Sequence, residues 1–155
     1  MKNKTIIISI LLFLILLIGS LSCYLINNKN NLFDSNLKDY VENLKVPEGF
    51  DETQTLIPGF SDISVKKDFN EKGFDLFNPK ANNVLFKYTI ILEKNNQVLT
   101  ETKLIPPGKA IEVFPWKGLP TGEYDLIIKI NSYSLENPKV ELNGANLKIK
   151  MRILN

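Results

Sequence analysis

The residues that could carry chemistry in this chain are few. Its 155 residues include one cysteine, Cys23, and no histidine. Without histidine the chain lacks the usual general base of serine and cysteine hydrolases and the commonest metal ligand. A single cysteine excludes a disulfide within the chain and a CxxC metal or redox pair. We therefore predict that the protein is not an enzyme, with no catalytic residue, no metal site and no cofactor.

Cys23 itself could be lipidated. It lies within an apolar run that begins at Ile6 and ends at Ile26. The residues just before it, from Ser20 to Ser22, partly resemble the lipobox of bacterial lipoproteins, in which the cysteine is acylated and becomes the new N-terminus. Leucine stands two places before the cysteine here, whereas a lipobox has it three places before. The alternative is that Cys23 is a small apolar residue inside a helix.

The acidic residues offer a second chemistry, because several carboxylates converging on loops could bind calcium. No Asp-x-Asp-x-Asp-Gly spacing is present, so we predict no calcium site. The acid-rich region comprises Asp51, Glu52, Asp62, Asp68, Glu71 and Asp75.

The segment from Phe114 to Trp116 is the most unusual local feature, and it contains the chain's one tryptophan. An exposed aromatic pair beside a turn could anchor a partner protein, so Phe114 and Trp116 are candidate contact residues. The alternative is that Trp116 covers the end of a hydrophobic core.

The elements that position these residues begin with the N-terminal run. Roughly 20 apolar residues span a bilayer, and the run from Ile6 to Ile26 contains no charge. Lys2 and Lys4 precede it, which predicts a cytoplasmic N-terminus and an extracytoplasmic C-terminal domain in a single-pass membrane protein. We predict a signal anchor over residues 1–26, with a transmembrane helix over about 5–26. Lipidation at Cys23 and ordinary cleavage after Ser22 are the alternatives.

Charge narrows the range of partners. Setting Lys2 and Lys4 aside, the rest of the chain has as many basic residues as its 17 acidic ones. A neutral domain has no long-range field to attract nucleic acid. We predict the membrane and another envelope protein as partners, and neither nucleic acid nor a small-molecule ligand.

Residues 27–55 predict a polar linker. Leu37, Tyr40, Val41 and Leu44 follow the spacing of a helix face, so we predict a short helix over 36–44. The folded domain is then expected over residues 56–155.

That domain has the alternating pattern of β-strands separated by turn residues. About seven short strands without a long helix predict an all-β fold, an antiparallel β-sandwich. The strands are expected at residues 63–65, 73–77, 84–93, 98–105, 111–113, 124–130 and 147–154.

Residues 118–128, from Gly118 through Tyr124 to Ile128, resemble the turn and penultimate strand of bacterial immunoglobulin-like domains. The resemblance implies that Tyr124 forms a tyrosine corner, with its hydroxyl bonded back to the preceding loop.

A wider set of segments resembles small exported or membrane-tethered proteins of Gram-positive bacteria that have one immunoglobulin-like domain and no assigned activity. The resemblance implies the fold and a surface location, and no site residue. The segments are residues 57–60, 77–79, 86–88, 104–111, 122–124 and 142–145.

We therefore predict a membrane-anchored envelope protein with an extracytoplasmic immunoglobulin-like interaction domain. One alternative is a lipoprotein acylated at Cys23 with the same domain. Another is a protease inhibitor, because the order of the strands, the Pro-Gly turn and Trp116 loosely resembles intracellular proteinase inhibitors of bacilli.

Overall fold

The computed structural model describes residues 2–30, 32–40, 46–51, 53–66 and 72–155. The chain divides into two compact units, Met1–Phe33 and Asp34–Asn155. The first unit contains a helix and the second contains the strands of two β-sheets.

The helix α1 spans Lys2–Asn30. Its leucine and isoleucine side chains have no proline among them to interrupt the backbone hydrogen bonds, which favours a continuous helix. Side chains are described at Ile7 and over residues 10–23, and all of them are exposed. Over the described part of the chain, no helix meets the combined length and hydropathy needed to cross a membrane.

The second unit contains eight strands among its described residues. In chain order they are β1 (Lys38–Asp39), β2 (Ile63–Lys66), β3 (Phe74–Phe77), β4 (Val84–Leu92), β5 (Gln97–Glu101), β6 (Lys109–Val113), β7 (Gly122–Ser134) and β8 (Glu141–Leu154).

These strands form a three-stranded sheet in the order β1-β6-β3 and a five-stranded sheet in the order β2-β8-β7-β4-β5. The core contains side chains from both sheets, including Leu76, Tyr88, Ile128 and Met151, each with no exposed surface. Alternate residues of β4, β7 and β8 face this core, as the period-two pattern predicts. The expected all-β sandwich is therefore confirmed at the level of a mostly β fold with two sheets.

One strand pair departs from the predicted antiparallel arrangement. β2 runs parallel to β8, with Ile63 opposite Met151 and Lys66 opposite Leu154. The five-stranded sheet is therefore mixed. Alternation of apolar residues identifies which face of a strand is buried, but it carries no information about the direction of the neighbouring strand.

The predicted helix over 36–44 is wrong at Lys38–Asp39, which form β1. Lys38 lies opposite Ala110 and Asp39 opposite Lys109 of β6. The helical spacing of Leu37 and Tyr40 has a different cause, because both side chains pack on the sandwich. The rest of the predicted helix, residues 41–45, lies outside the described residues.

The predicted linker over residues 27–55 is also divided differently in the structure. α1 continues to Asn30, and the second unit begins at Asp34 rather than at Leu56. The backbone N–H of Asp34 donates to the carbonyl oxygen of Leu104 at 3.4 Å, and that of Tyr40 donates to Gly108 at 3.0 Å. Residues 34–40 therefore belong to the β-domain.

Candidate binding groove

A groove with a volume of about 450 Å³ lies where the edge strands of the two sheets, β2 and β3, come near each other. Residues 59–65 form one wall and residues 72–75 the other. Tyr40, Phe77 and Trp116 complete its described lining. We call this the β2/β3 groove.

Phe60 joins the two walls of the groove. Its ring centroid lies 5.2 Å from that of Phe74, 6.0 Å from that of Phe77 and 6.0 Å from that of Tyr88, in tilted or edge-to-face geometry. Tyr40 stacks on Phe77 with a centroid distance of 4.2 Å. Such offset and edge-to-face contacts are the arrangements that aromatic pairs prefer. The groove therefore has an aromatic surface held in place by ring contacts.

A network of two buried asparagines positions the chain that leads to Phe60. The side chain of Asn82 accepts from the N–H of Leu56 at 2.7 Å and donates to its carbonyl oxygen at 3.0 Å. Asn82 also donates to the side-chain oxygen of Asn78 at 2.9 Å. Asn78, with no exposed surface, donates to the carbonyl oxygens of Val84 and Ile105 at 2.8 and 2.9 Å. The side-chain amides of Asn78 and Asn82 thus bond to backbone groups in the irregular segment between strands, where strand pairing does not satisfy them.

Several groups from the rest of the domain bond to the backbone along the outer edge of β3. The N–H of Asn78 donates to the carbonyl oxygen of Lys109 in β6 at 2.9 Å. Because bonded positions alternate along an antiparallel strand, the backbone groups of Asp75 and Phe77 point away from β6. The Phe77 carbonyl oxygen accepts from the Tyr88 hydroxyl, and the Gly73 N–H donates to the Glu112 carboxylate at 2.8 Å. Asp75, whose backbone groups also point away from β6, is one of the β3 residues that line the groove.

Charged side chains lie at the rim. Asp75 pairs with Lys38 at 2.7 Å, and this hydrogen bond raises the pKa of Lys38 against the opposing effect of partial burial. Asp62 accepts from the backbone N–H of Lys150 at 2.8 Å. Both acids therefore have partners within the domain. Among the described residues, no group of acids and cysteine is placed to hold a metal ion.

Trp116 is 4% exposed and belongs to the core, where its ring lies edge-on to that of Phe114 at 5.6 Å. Phe114 is partly buried, and the Lys117 ammonium lies 4.2 Å from its ring centroid. Trp116 is therefore buried rather than exposed, and the role of Phe114 and Trp116 as partner contacts stays a prediction. The burial agrees with the alternative interpretation that Trp116 covers one end of the core.

Tyr124 lies near the start of β7 and its hydroxyl donates to the carbonyl oxygen of Pro120 at 2.8 Å. The bond ties the strand to the loop that precedes it. In that loop Gly118 has a φ of +85°, a conformation that residues with a side chain rarely adopt.

Of the other acids considered from the sequence, Glu52, Asp68 and Glu71 lie outside the described residues. Cys23 is exposed on α1, in the first unit. Two basic residues of β8 form ion pairs at the surface, where Lys148 contacts Glu93 and Arg152 lies 2.7 Å from Glu123. These exposed ion pairs belong to a solvated surface.

Sequence reasoning missed Asn78 and Asn82. Asn78 precedes Pro79, and the Asn-Pro pair predicts the end of a strand without indicating a buried amide. The available signal was a second asparagine four residues later, in a short turn between two apolar strands. Asparagine is also common in surface turns, so this signal does not identify a buried amide.

The chain matches no protein-family model, no curated protein and no solved structure.

Proposed function

We propose that the protein is a membrane-anchored, non-enzymatic envelope protein whose second unit is an immunoglobulin-like domain that binds another protein. The β2/β3 groove is the observation that carries the proposal. It combines an aromatic surface, a short strand edge at Asp75 and a charged rim, which are the features of a protein contact.

The strand arrangement supports the immunoglobulin-like assignment. In such domains the second and fifth strands pair in one sheet, and the third, sixth and seventh strands pair in the other. Here β3 and β6 pair as the second and fifth strands do. β4, β7 and β8 lie side by side as the third, sixth and seventh strands do. Tyr124 bonds back to Pro120 at the start of the penultimate strand, where a tyrosine corner is expected. The likeness to small membrane-tethered proteins of Gram-positive bacteria remains a prediction.

The sequence supports anchoring by the run from Ile6 to Ile26. The structure describes the side chains of residues 10–23 within this run, and all of them are exposed. The run continues on both sides of these residues. The lysines Lys2 and Lys4 favour a cytoplasmic N-terminus. A lipoprotein acylated at Cys23 is the second candidate, because the thiol is exposed on α1.

Photo-crosslinking tests the binding site. A photoreactive amino acid replaces Lys72 at the groove rim in the full-length protein, in the membranes of the native host. A matched protein carries it at Val98, which is 52% exposed on β5, the edge strand at the opposite end of the five-stranded sheet. We expect one recurrent protein adduct from position 72 and none from position 98. Equal labelling, or no adduct at either position, would contradict the proposal.

The intact mass of the protein from the membrane fraction tests the anchor. A mass that includes residues 1–22 supports a signal anchor. A product that begins at Cys23 and carries acyl chains supports the lipoprotein alternative. An unacylated protein that begins at residue 23 and is released into the medium would overturn both forms of attachment.

A further inference from the structure

Residues 34–40, which we call the strap, connect the end of the first unit to the β-domain. Their regular pairing with the domain is limited to the two residues of β1 against β6. At the strap's start, the side chain of Asp34 accepts from the N–H of Lys103 at 3.2 Å. At its end, the N–H of Tyr40 donates to Gly108 at 3.0 Å.

The two ion pairs described at the strap differ in their exposure. The Lys109 ammonium lies 2.6 Å from the Asp39 carboxylate, whose side chain is 87% exposed. The Lys38 side chain is 41% exposed, but its partner Asp75 is 18% exposed and the bonded Oδ1 atom is buried. The exposed Asp39–Lys109 pair is weak and is screened further by salt.

Two apolar side chains hold the strap to the rest of the domain. Leu37 packs on the core while remaining partly exposed, and Tyr40 stacks on Phe77. Leu56 is held differently, because both of its backbone groups bond to the buried side chain of Asn82. The strap's side chains are partly or fully exposed, and local opening favours segments with few buried contacts.

We propose that the strap releases from β6 while both sheets otherwise remain folded. Release breaks the pairing of β1, the hydrogen bonds of Asp34 and Tyr40 to the domain, two ion pairs, the packing of Leu37 and the Tyr40–Phe77 stack. It leaves the core intact, because Phe77 keeps its contact with Phe60 and its carbonyl oxygen keeps the Tyr88 hydroxyl. Release frees residues 34–40 from the domain and so lengthens the connector that follows α1. The strap is a salt-sensitive device that sets the length of the tether, and it works whether or not α1 lies in a membrane.

Amide hydrogen exchange on the full-length protein in detergent tests the strap. We expect the Tyr40 amide to exchange at least about a hundred-fold faster than the Phe86 amide, which bonds to Ile105 between two core positions. Raising the salt concentration should accelerate exchange at Tyr40 and leave Phe86 unchanged. Equal exchange at the two amides, at the rate of global unfolding, would overturn the proposal.

A disulfide across the strap provides the matched control. Asp39 and Lys109 lie opposite each other on antiparallel strands, a spacing that a disulfide can bridge. In the D39C/K109C protein with Cys23→Ser, oxidation should slow exchange at Tyr40 toward that of Phe86, and reduction should restore it. Exchange at Tyr40 that is the same in the oxidised and reduced proteins would also overturn the proposal.

Discussion

Buried polar groups decide much of the chemistry of this domain at the scale of single residues. Tyr88 has no exposed surface, yet its hydroxyl donates to the Phe77 carbonyl oxygen at the edge of β3. Burial raises the pKa of Tyr88 well above its usual value near 10. The same residue therefore contributes to the core, caps a strand edge and resists ionisation.

Tyr88 makes the stability of the domain depend on alkaline pH. An unfolded Tyr88 ionises near pH 10 while the folded one stays neutral, so its stabilising contribution is complete below pH 10 and is lost as the pH rises further. Lys38 and Lys148, whose pKa values are raised by hydrogen bonds to Asp75 and Glu93, act in the same direction. We expect urea unfolding from pH 8 to pH 11 to show falling stability. In Tyr88→Phe the fall should be shallower, although stability at pH 8 drops by about 1–3 kcal/mol because the Phe77 carbonyl oxygen loses its donor. An unchanged slope would contradict this assignment.

At the scale of elements, the sequence predicted where most strands lie but not which strands pair. β4 and β7 are long and alternate between buried and exposed positions, so their period identifies them. β1 has two residues, which are too few to show any period. It is a strand because its backbone pairs with that of β6. The parallel pairing of β2 with β8 joins strands far apart in the chain. No local signal specifies such a contact.

The groove was predictable only in part for the same reason. Its aromatic residues Phe60, Phe74 and Phe77 are visible in the sequence as apolar positions. Their meeting depends on the asparagine network, which joins residues 26 positions apart in the chain. The exposure of Trp116 was misjudged, because a turn residue next to proline resembles an exposed one until the core behind it is known.

The β7–β8 hairpin provides a test of packing at this scale. The pairing shifts register between Asn131 and Tyr133, opposite the segment that precedes Gly144. A Cβ at Gly144 would lie 2.6 Å from the Ile130 carbonyl oxygen, a backbone atom that cannot move without disturbing the sheet. We expect Gly144→Ala to lower the free energy of unfolding by about 1–3 kcal/mol. Gly59→Ala is the control, because a Cβ there meets no atom within 4 Å, and thermal melting should find it nearly neutral. Equal melting temperatures of the two variants would show that the hairpin can relax.

At the scale of the whole molecule, the boundary of the β-domain lies at Asp34 rather than at Leu56. The strap contributes two partly buried apolar side chains, one exposed ion pair and one half-buried ion pair to that domain. Its contribution to stability is therefore real but small compared with that of the core.

Two truncated proteins measure this contribution. A protein of residues 34–155 should fold and unfold in one cooperative transition. A protein of residues 56–155, which lacks the strap, should also fold but with a free energy of unfolding lower by about 1–3 kcal/mol, from the lost burial of Leu37 and the lost Tyr40 stack. Denaturant titration followed by circular dichroism compares them. If the shorter protein does not fold, the strap is integral to the domain and cannot release alone.

The parallel pairing of β2 and β8 has a mechanical consequence. A force that pulls the chain before β2 one way and the end of β8 the other way acts along both strands, because the two run in the same direction. Their inter-strand hydrogen bonds then carry the load together in shear. β1 is too short to share such a load for long and would detach first. A domain pulled between the chain before β1 and the end of β8 would thus extend slightly at low force, as β1 detaches, and then resist further extension.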